Sequence, residues 1–172
     1  MKTSISWLLS YTDIDKNIDP HKLASDMTIS GSKVESVEVQ GADINRVVVG
    51  HCLEVKPHEN SDHLQICQVD VGNEKLQIVT GAPNVRADAY IPVALDNSTI
   101  AGGTKIKNGK LRGVASCGMM CSFGELGLSA EDYEGGIEDG LIIMDDLTMF
   151  QGEDLSKLIG KDIMPVLGAS ET

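Results

Sequence analysis

Four cations, Lys105, Lys107, Lys110 and Arg112, lie close together in a stretch from Asn97 to Gly124 that contains no Asp or Glu. Such a run suits phosphate, because cations that neutralise a polyanion release its condensed counterions and make binding fall steeply with salt. It also suits a solvated hairpin whose lysines blunt an exposed strand edge. From Gly113 to Ser156 the balance reverses: Lys and Arg disappear, while Glu131, Asp132, Glu134, Glu138, Asp139, Asp145, Asp146, Glu153 and Asp154 accumulate. The chain is therefore polarised, with a basic hairpin-like stretch followed by an acidic segment.

Other groups with chemical potential are sparse. Cys117 and Cys121 with His58 and His63 raise a zinc reading, but Cys-x₃-Cys has no second pair and its Gly-Met-Met interior is strand-like, so no metal site is predicted. No Ser/His/Asp order, phosphate-cradling glycine loop or paired-carboxylate site stands out, and this stretch of chain is expected to be non-catalytic. Asn60 and Asp62 suit a turn capped by side-chain bonds to backbone amides, and Glu125 suits the start of a short helix.

These residues need a scaffold, and the composition says which kind. The 172 residues are 41% hydrophobic and 23% charged, as in a soluble globular chain, but only 3% aromatic, so Val, Ile and Leu must fill the core and the balance tilts toward strands. The net charge of -12 argues against a polyanionic partner in sum, though not in distribution. The start MKTSISWLLSYTD lacks the unbroken apolar stretch of a secretory signal, and no segment approaches the roughly 20 apolar residues of a membrane span. With four scattered cysteines and no export signal, reduced thiols and a cytoplasmic location are expected.

A short helix is predicted from Ser4 or Ser6. A second follows, with Asp19 as N-cap, Pro20 at the first position, Leu23, Ala24 and Met27 on one face and Gly31 at the end. Val34 to Val39 alternates as a strand does. Short strands are then predicted at 47–55, 64–71, 76–79, 91–95, 104–111, 117–121 and 141–144, separated by turn-rich PHENSD, GN and GAPN. Their even spacing points to a small closed barrel rather than βαβ units. Gly152 to Gly160 reads as a helix, and the two terminal flanks are expected to pack on each other with the barrel inserted between them. The expected class is mainly β with α: 1–41 and 151–172 as halves of a small α+β domain, and 42–150 as the barrel.

Three blocks, PHENSDHLQICQVDVG (57–72), IVTGAPNV (78–85) and KIKNGKLRGVASCGMMCSFGELGL (105–128), together resemble the tRNA-binding domain of bacterial phenylalanyl-tRNA synthetase beta subunits, methionyl-tRNA synthetase C-termini and stand-alone tRNA-binding proteins. The opening SISWLLSYTDID and the later GSKVESVE resemble the beta-subunit N-terminus in particular. The resemblance implies a five-stranded OB-fold barrel over 42–150 and a fragment of a longer ligase that joins phenylalanine to tRNA. It also implies an alpha subunit, further beta-subunit domains and an alpha2beta2 assembly as partners, without a membrane. ATP and Mg²⁺ belong by this resemblance to the complete enzyme, with no cofactor on this stretch.

OB barrels grip nucleic acid by stacking bases on aromatics or by holding phosphate and ribose. Within the barrel the stacking candidates are Tyr90, Phe123 and Tyr133, too few for stacking to dominate, which favours the second mode. The expected RNA contacts are Lys105, Lys107, Lys110 and Arg112, with His58, Asn60 and His63 at the neighbouring turn and Asn84, Arg86 and Ser122 as hydrogen-bonding candidates. The family commonly carries Lys and Arg where this chain has His63 and Gln65, so weak, strongly salt-dependent binding is expected. The alternatives are an architectural domain with little RNA contact and a stand-alone tRNA-binding homodimer.

Overall fold

The computed structural model describes residues 3–15, 17–38 and 43–167. Two helices come first, α1 (Ile5–Tyr11) and α2 (Pro20–Ile29). The Ser4 side chain accepts from the Trp7 amide and the Asp19 side chain from the His21 amide, so α2 has the N-cap the sequence predicts and α1 takes one of the two starts it offers. No residue of α2 is buried, and Trp7, Tyr11 and Ile29 are largely exposed. Residues 34–38 join no sheet, and Val39 of the predicted strand lies outside the described residues.

The rest is built on strands: β1 (Asn45–Pro57), β2 (Gln65–Asp70), β3 (Lys75–Thr80), β4 (Tyr90–Thr99), β5 (Lys105–Ile106), β6 (Gly109–Leu111), β7 (Val114–Ser116) and β8 (Met119–Met120). β1, β2 and β3 form an antiparallel meander, β4 lies on the other edge of β1, and β8 pairs β4 through Val93↔Met120. The sheet curls, because the Cys117 amide donates to the Gln77 carbonyl of β3 while the Cys121 amide donates to Pro92 of β4. The β7–β8 stretch thus bridges β3 and β4 and rolls the sheet into a half-barrel of OB type, a mainly β fold with few helices.

Two apolar layers follow from the alternation along β1 and β4. Val48, Cys52, Ile91 and Val93 turn inward with Cys67, Val69, Ile78 and Met120. The inside is tight at Gly50, where an added Cβ would come within 2.6 Å of Val93 and 2.8 Å of Val69. Val47, Val49 and Ala94 turn outward onto a second core with Phe123, Leu126, Ile142, Met144, Leu147, Phe150, Leu155, Ile163 and Met164. Over these stretches both strands are buried on both faces, which is why VVVG and IPVA runs replace clean alternation.

The described C-terminal stretch packs on the barrel through Leu155, Ile163, Met164 and Leu167. β2 ladders with β1 only from His51 onward. The first half of β1 is instead covered by residues 160–162: the Val49 amide donates to Lys161 O, the Gly160 amide to Val49 O, and Val48 bridges Asp162. Gly160 at φ +80 and Gly72 at φ +99 cross here, and a Cβ on Gly160 would meet Val71 O at 2.8 Å. A short helix, α3 (Ile163–Val166), ends the described chain, and the predicted helix 152–160 is a 3₁₀ turn at Leu155–Leu158.

Candidate nucleic-acid interface

The predicted strand 104–111 is broken in two. The Asp96 carboxylate of β4 captures the Asn108 amide at 2.9 Å, so the chain bends after β5 and restarts as the β6–β7 hairpin. That hairpin turns on Arg112 (φ 48) and Gly113 (φ 83), with Leu111 paired to Val114. Two consecutive positive φ values make a type I′ turn, whose twist matches that of the flanking strands. Gln77 Nε2 donates to Ala115 O at 2.8 Å, and the buried Ser116 hydroxyl accepts from the Val79 amide at 3.1 Å; together they fix the hairpin base to β3.

Lys105 and Lys107 flank the end of β5, and Lys110 and Arg112 lie on the hairpin. All four are exposed, and among the described residues none is paired with a carboxylate. Along the backbone they span at most about 25 Å, the reach of seven extended residues. The neighbouring turn is joined to the same rim. His58 is 4% exposed, its Nδ1 accepts from the Asn60 amide at 3.0 Å, and its Nε2 lies 3.2 Å from Leu111 O. Asn60 and His63 are exposed beside it.

The remaining expected contacts sit elsewhere and are engaged within the fold. Asn84 donates to Leu141 O and accepts from the Leu141 amide, both at 2.9 Å. Arg86 pairs with Asp146 at 2.9 Å. The Ser122 amide and hydroxyl both donate to Glu125, the backbone-capping role foreseen for that carboxylate. The aromatics are also committed: Phe123 is buried and lies 5.1 Å from the Tyr133 ring, and Tyr90 stacks on His51 at 4.5 Å. Leu111, 45% exposed beside Arg112, is a rim residue that charge-based reasoning passes over.

The acidic segment also acquires a structural use. Asp145 accepts from the Tyr90 amide and Glu138 from the Ala130 amide, so carboxylates do for these loops what a sheet ladder does elsewhere. Among the described residues no three His, Cys, Asp or Glu converge to hold a metal ion. Burial pushes the Cys121 thiol up to about 12, helped by the Glu125 charge. A hydrogen bond to Cys52 and burial push Cys67 up as well, so Cys67 and Cys121 are protonated fillers, while the same bond to Cys67 pulls the Cys52 thiol down.

A family model described as "Putative tRNA binding domain" matches residues 47–146, the span from β1 to the Asp146 that pairs with Arg86. The chain belongs to this tRNA-binding domain family. Within the family it is 47% identical over 169 residues to a phenylalanine–tRNA ligase beta subunit of Clostridium acetobutylicum, covering 98% of this chain and 19% of that protein. The corresponding protein of Trichormus variabilis is 43% identical over 99% of the chain and 19% of its own length. The chain thus spans about a fifth of the curated relatives it matches. The solved structure of a MetRS related protein from Pyrococcus horikoshii aligns over 74% of this chain and 96% of its own, at 19% identity and a TM-score of 0.44. Among the described residues no helix is long and apolar enough to cross a membrane.

Proposed function

We propose that this tRNA-binding module grips the phosphate backbone of tRNA with Lys105, Lys107, Lys110 and Arg112, flanked by Asn60 and His63, as the N-terminal region of a phenylalanine–tRNA ligase beta subunit. One observation carries the reading: the four cations are exposed and, among the described residues, without carboxylate partners although the chain has a net charge of -12. A protein this acidic gains nothing in solubility from leaving cations clustered, whereas a polyanion gains a docking line. Aromatic stacking contributes little, because the rings are occupied internally, so contact is to backbone and shape.

In this reading the complete enzyme attaches phenylalanine to tRNA in the cytoplasm, with an alpha subunit and later beta-subunit domains as partners. Among the described residues no carboxylate cluster converges to hold Mg²⁺, and in this reading ATP and Mg²⁺ are used by the complete enzyme. The division at about residues 41 and 150 is retained as part of the proposal, and the exposed helices of the first segment are the surface available to the rest of the enzyme.

Titrating the protein with tRNA at several salt concentrations tests the grip. About four phosphate contacts give a slope of log affinity against log salt of roughly -3 to -4, and replacing the four cations by Gln flattens it. An affinity indifferent to salt, or untouched by the four replacements, refutes it. The second reading, an architectural barrel, is favoured by the Arg86–Asp146 pair, which ties up a cation, and by His63 and Gln65. Unchanged aminoacylation by the complete enzyme carrying the four replacements selects it.

A further inference from the structure

We infer that His58 is the positioning residue of the cationic hairpin, a strut that holds the Lys110–Arg112 tip at the barrel rim through a neutral imidazole. The inference rests on the tRNA-binding reading for its functional consequence, though not for its geometry.

The hairpin needs such a strut. β6 and β7 are three residues each, and an isolated two-stranded ribbon is marginally stable at best even when longer. Its turn carries a further strain, because Arg112 at φ 48 occupies the left-handed region that suits glycine. The bonds from Gln77 and Ser116 hold the base of the hairpin only. Among the described residues, the bond between His58 and Leu111 O is the tertiary hydrogen bond that reaches residues 109–114. It spans 53 positions of sequence, from the β1–β2 turn to the hairpin tip.

The partners fix the chemistry of the ring. A backbone amide can only donate, so Nδ1, 3.0 Å from the Asn60 amide, carries a lone pair. A carbonyl can only accept, so Nε2 carries the proton that it donates to Leu111 O at 3.2 Å. One buried side chain therefore closes its own turn and tethers the hairpin. Because the tether runs through a main-chain carbonyl, the head groups of Lys110 and Arg112 stay free for phosphate. An ion pair at the tip would order the hairpin equally well but consume the charge it presents.

Two variants of the full chain separate the ring's two duties. In His58→Asn the short amide can still accept from the Asn60 amide but cannot reach Leu111 O. In His58→Gln the longer amide can donate to Leu111 O in place of Nε2. Three readouts apply: amide hydrogen exchange of residues 109–114, the nitrogen resonances of the His58 ring in the unaltered protein, and tRNA affinity across salt. The loss of one hydrogen bond predicts exchange about 2- to 10-fold faster at 109–114 in His58→Asn, with β1–β4 unaffected, and near-normal exchange in His58→Gln. Affinity for tRNA falls by a similar factor in His58→Asn, with a shallower salt slope, and recovers in His58→Gln. The ring of the unaltered protein reports a proton on Nε2, a readout that stands even if a variant fails to fold. A proton on Nδ1, or identical hairpin exchange in all three proteins, overturns the strut. If exchange behaves as expected while no protein binds tRNA, the strut stands and the RNA-binding reading falls.

Discussion

Replacing Asn84 by Ala separates a structural duty from an RNA contact at one residue. The Asn84 amide closes a pair of 2.9 Å bonds with the backbone of Leu141, a residue only 6% exposed. The two segments lie 57 positions apart, and the fit leaves no slack: a Cβ on Gly140 would come within 2.6 Å of Asn84 Oδ1. Truncation removes both partners and leaves a donor and an acceptor of Leu141 unsatisfied, each costing about 1–2 kcal/mol at this partial burial. The total, about 2–4 kcal/mol, corresponds at this chain length to a fall in Tm of roughly 4–16 °C. Calorimetry with urea unfolding measures it. Asn84→Asp should recover about half, since a carboxylate still accepts from the Leu141 amide but cannot donate to its carbonyl. At a temperature where Asn84→Ala remains folded, tRNA affinity should equal that of the unaltered protein. An unchanged Tm accompanied by weakened tRNA binding would refute the clamp and return Asn84 to the interface.

Gly118→Ala should be more damaging than its size suggests. The residue sits at φ +117 and a Cβ would come within 2.6 Å of Ala94 O, a backbone atom on the strand that β8 must pair, so loss of the cooperative unfolding transition is expected by circular dichroism. Alkylation at pH 8 should modify Cys117, the partly exposed thiol, well before the buried Cys52, Cys67 and Cys121, as mass spectrometry of native protein would read. Alkaline stability follows from the same burial. The Cys121 thiol is neutral in both states below about pH 9; above it only the unfolded chain ionises, so stability falls as pH climbs from there toward about 12, a trend that Cys121→Ser should blunt.

β1 and β4 were legible because each carries an apolar run, as a doubly buried strand does, and β2 and β3 because polar and apolar residues mix between flanking turn residues. The hairpin was legible as a cationic stretch, but its break from β5 was not, since it depends on Asp96 reaching an amide 12 positions on. The region 141–144 has a strand's composition yet among the described residues joins no ladder: the Ile142 amide bonds Cys121 O before a 3₁₀ turn begins at Met144. Asn84, Arg86 and Ser122 look alike in sequence as polar residues near turns. What separates Asn84 and Arg86 from the exposed cations is the presence of partners on the acidic segment, Leu141 and Asp146 lying 57 and 60 positions away, whereas Ser122 bonds Glu125 three positions on. Long-range capping has no local signature, so the acidic residues read as surface charge when several are joints. The N-caps of α1 and α2 were visible because their partners lie within three residues.

The strip at 160–162 also determines where this module can be cut. A graft ending at Asp146, where the family match stops, would carry away the cover of β1 together with Leu155, Ile163 and Met164. Val47 and Val49 would lose part of their cover, and a raw sheet edge would invite strands from other molecules. Transplanting or trimming the module therefore requires keeping the seam to at least Leu167, with the Gly72 and Gly160 crossing intact, or the transplanted piece will oligomerise before it can be tested for anything else.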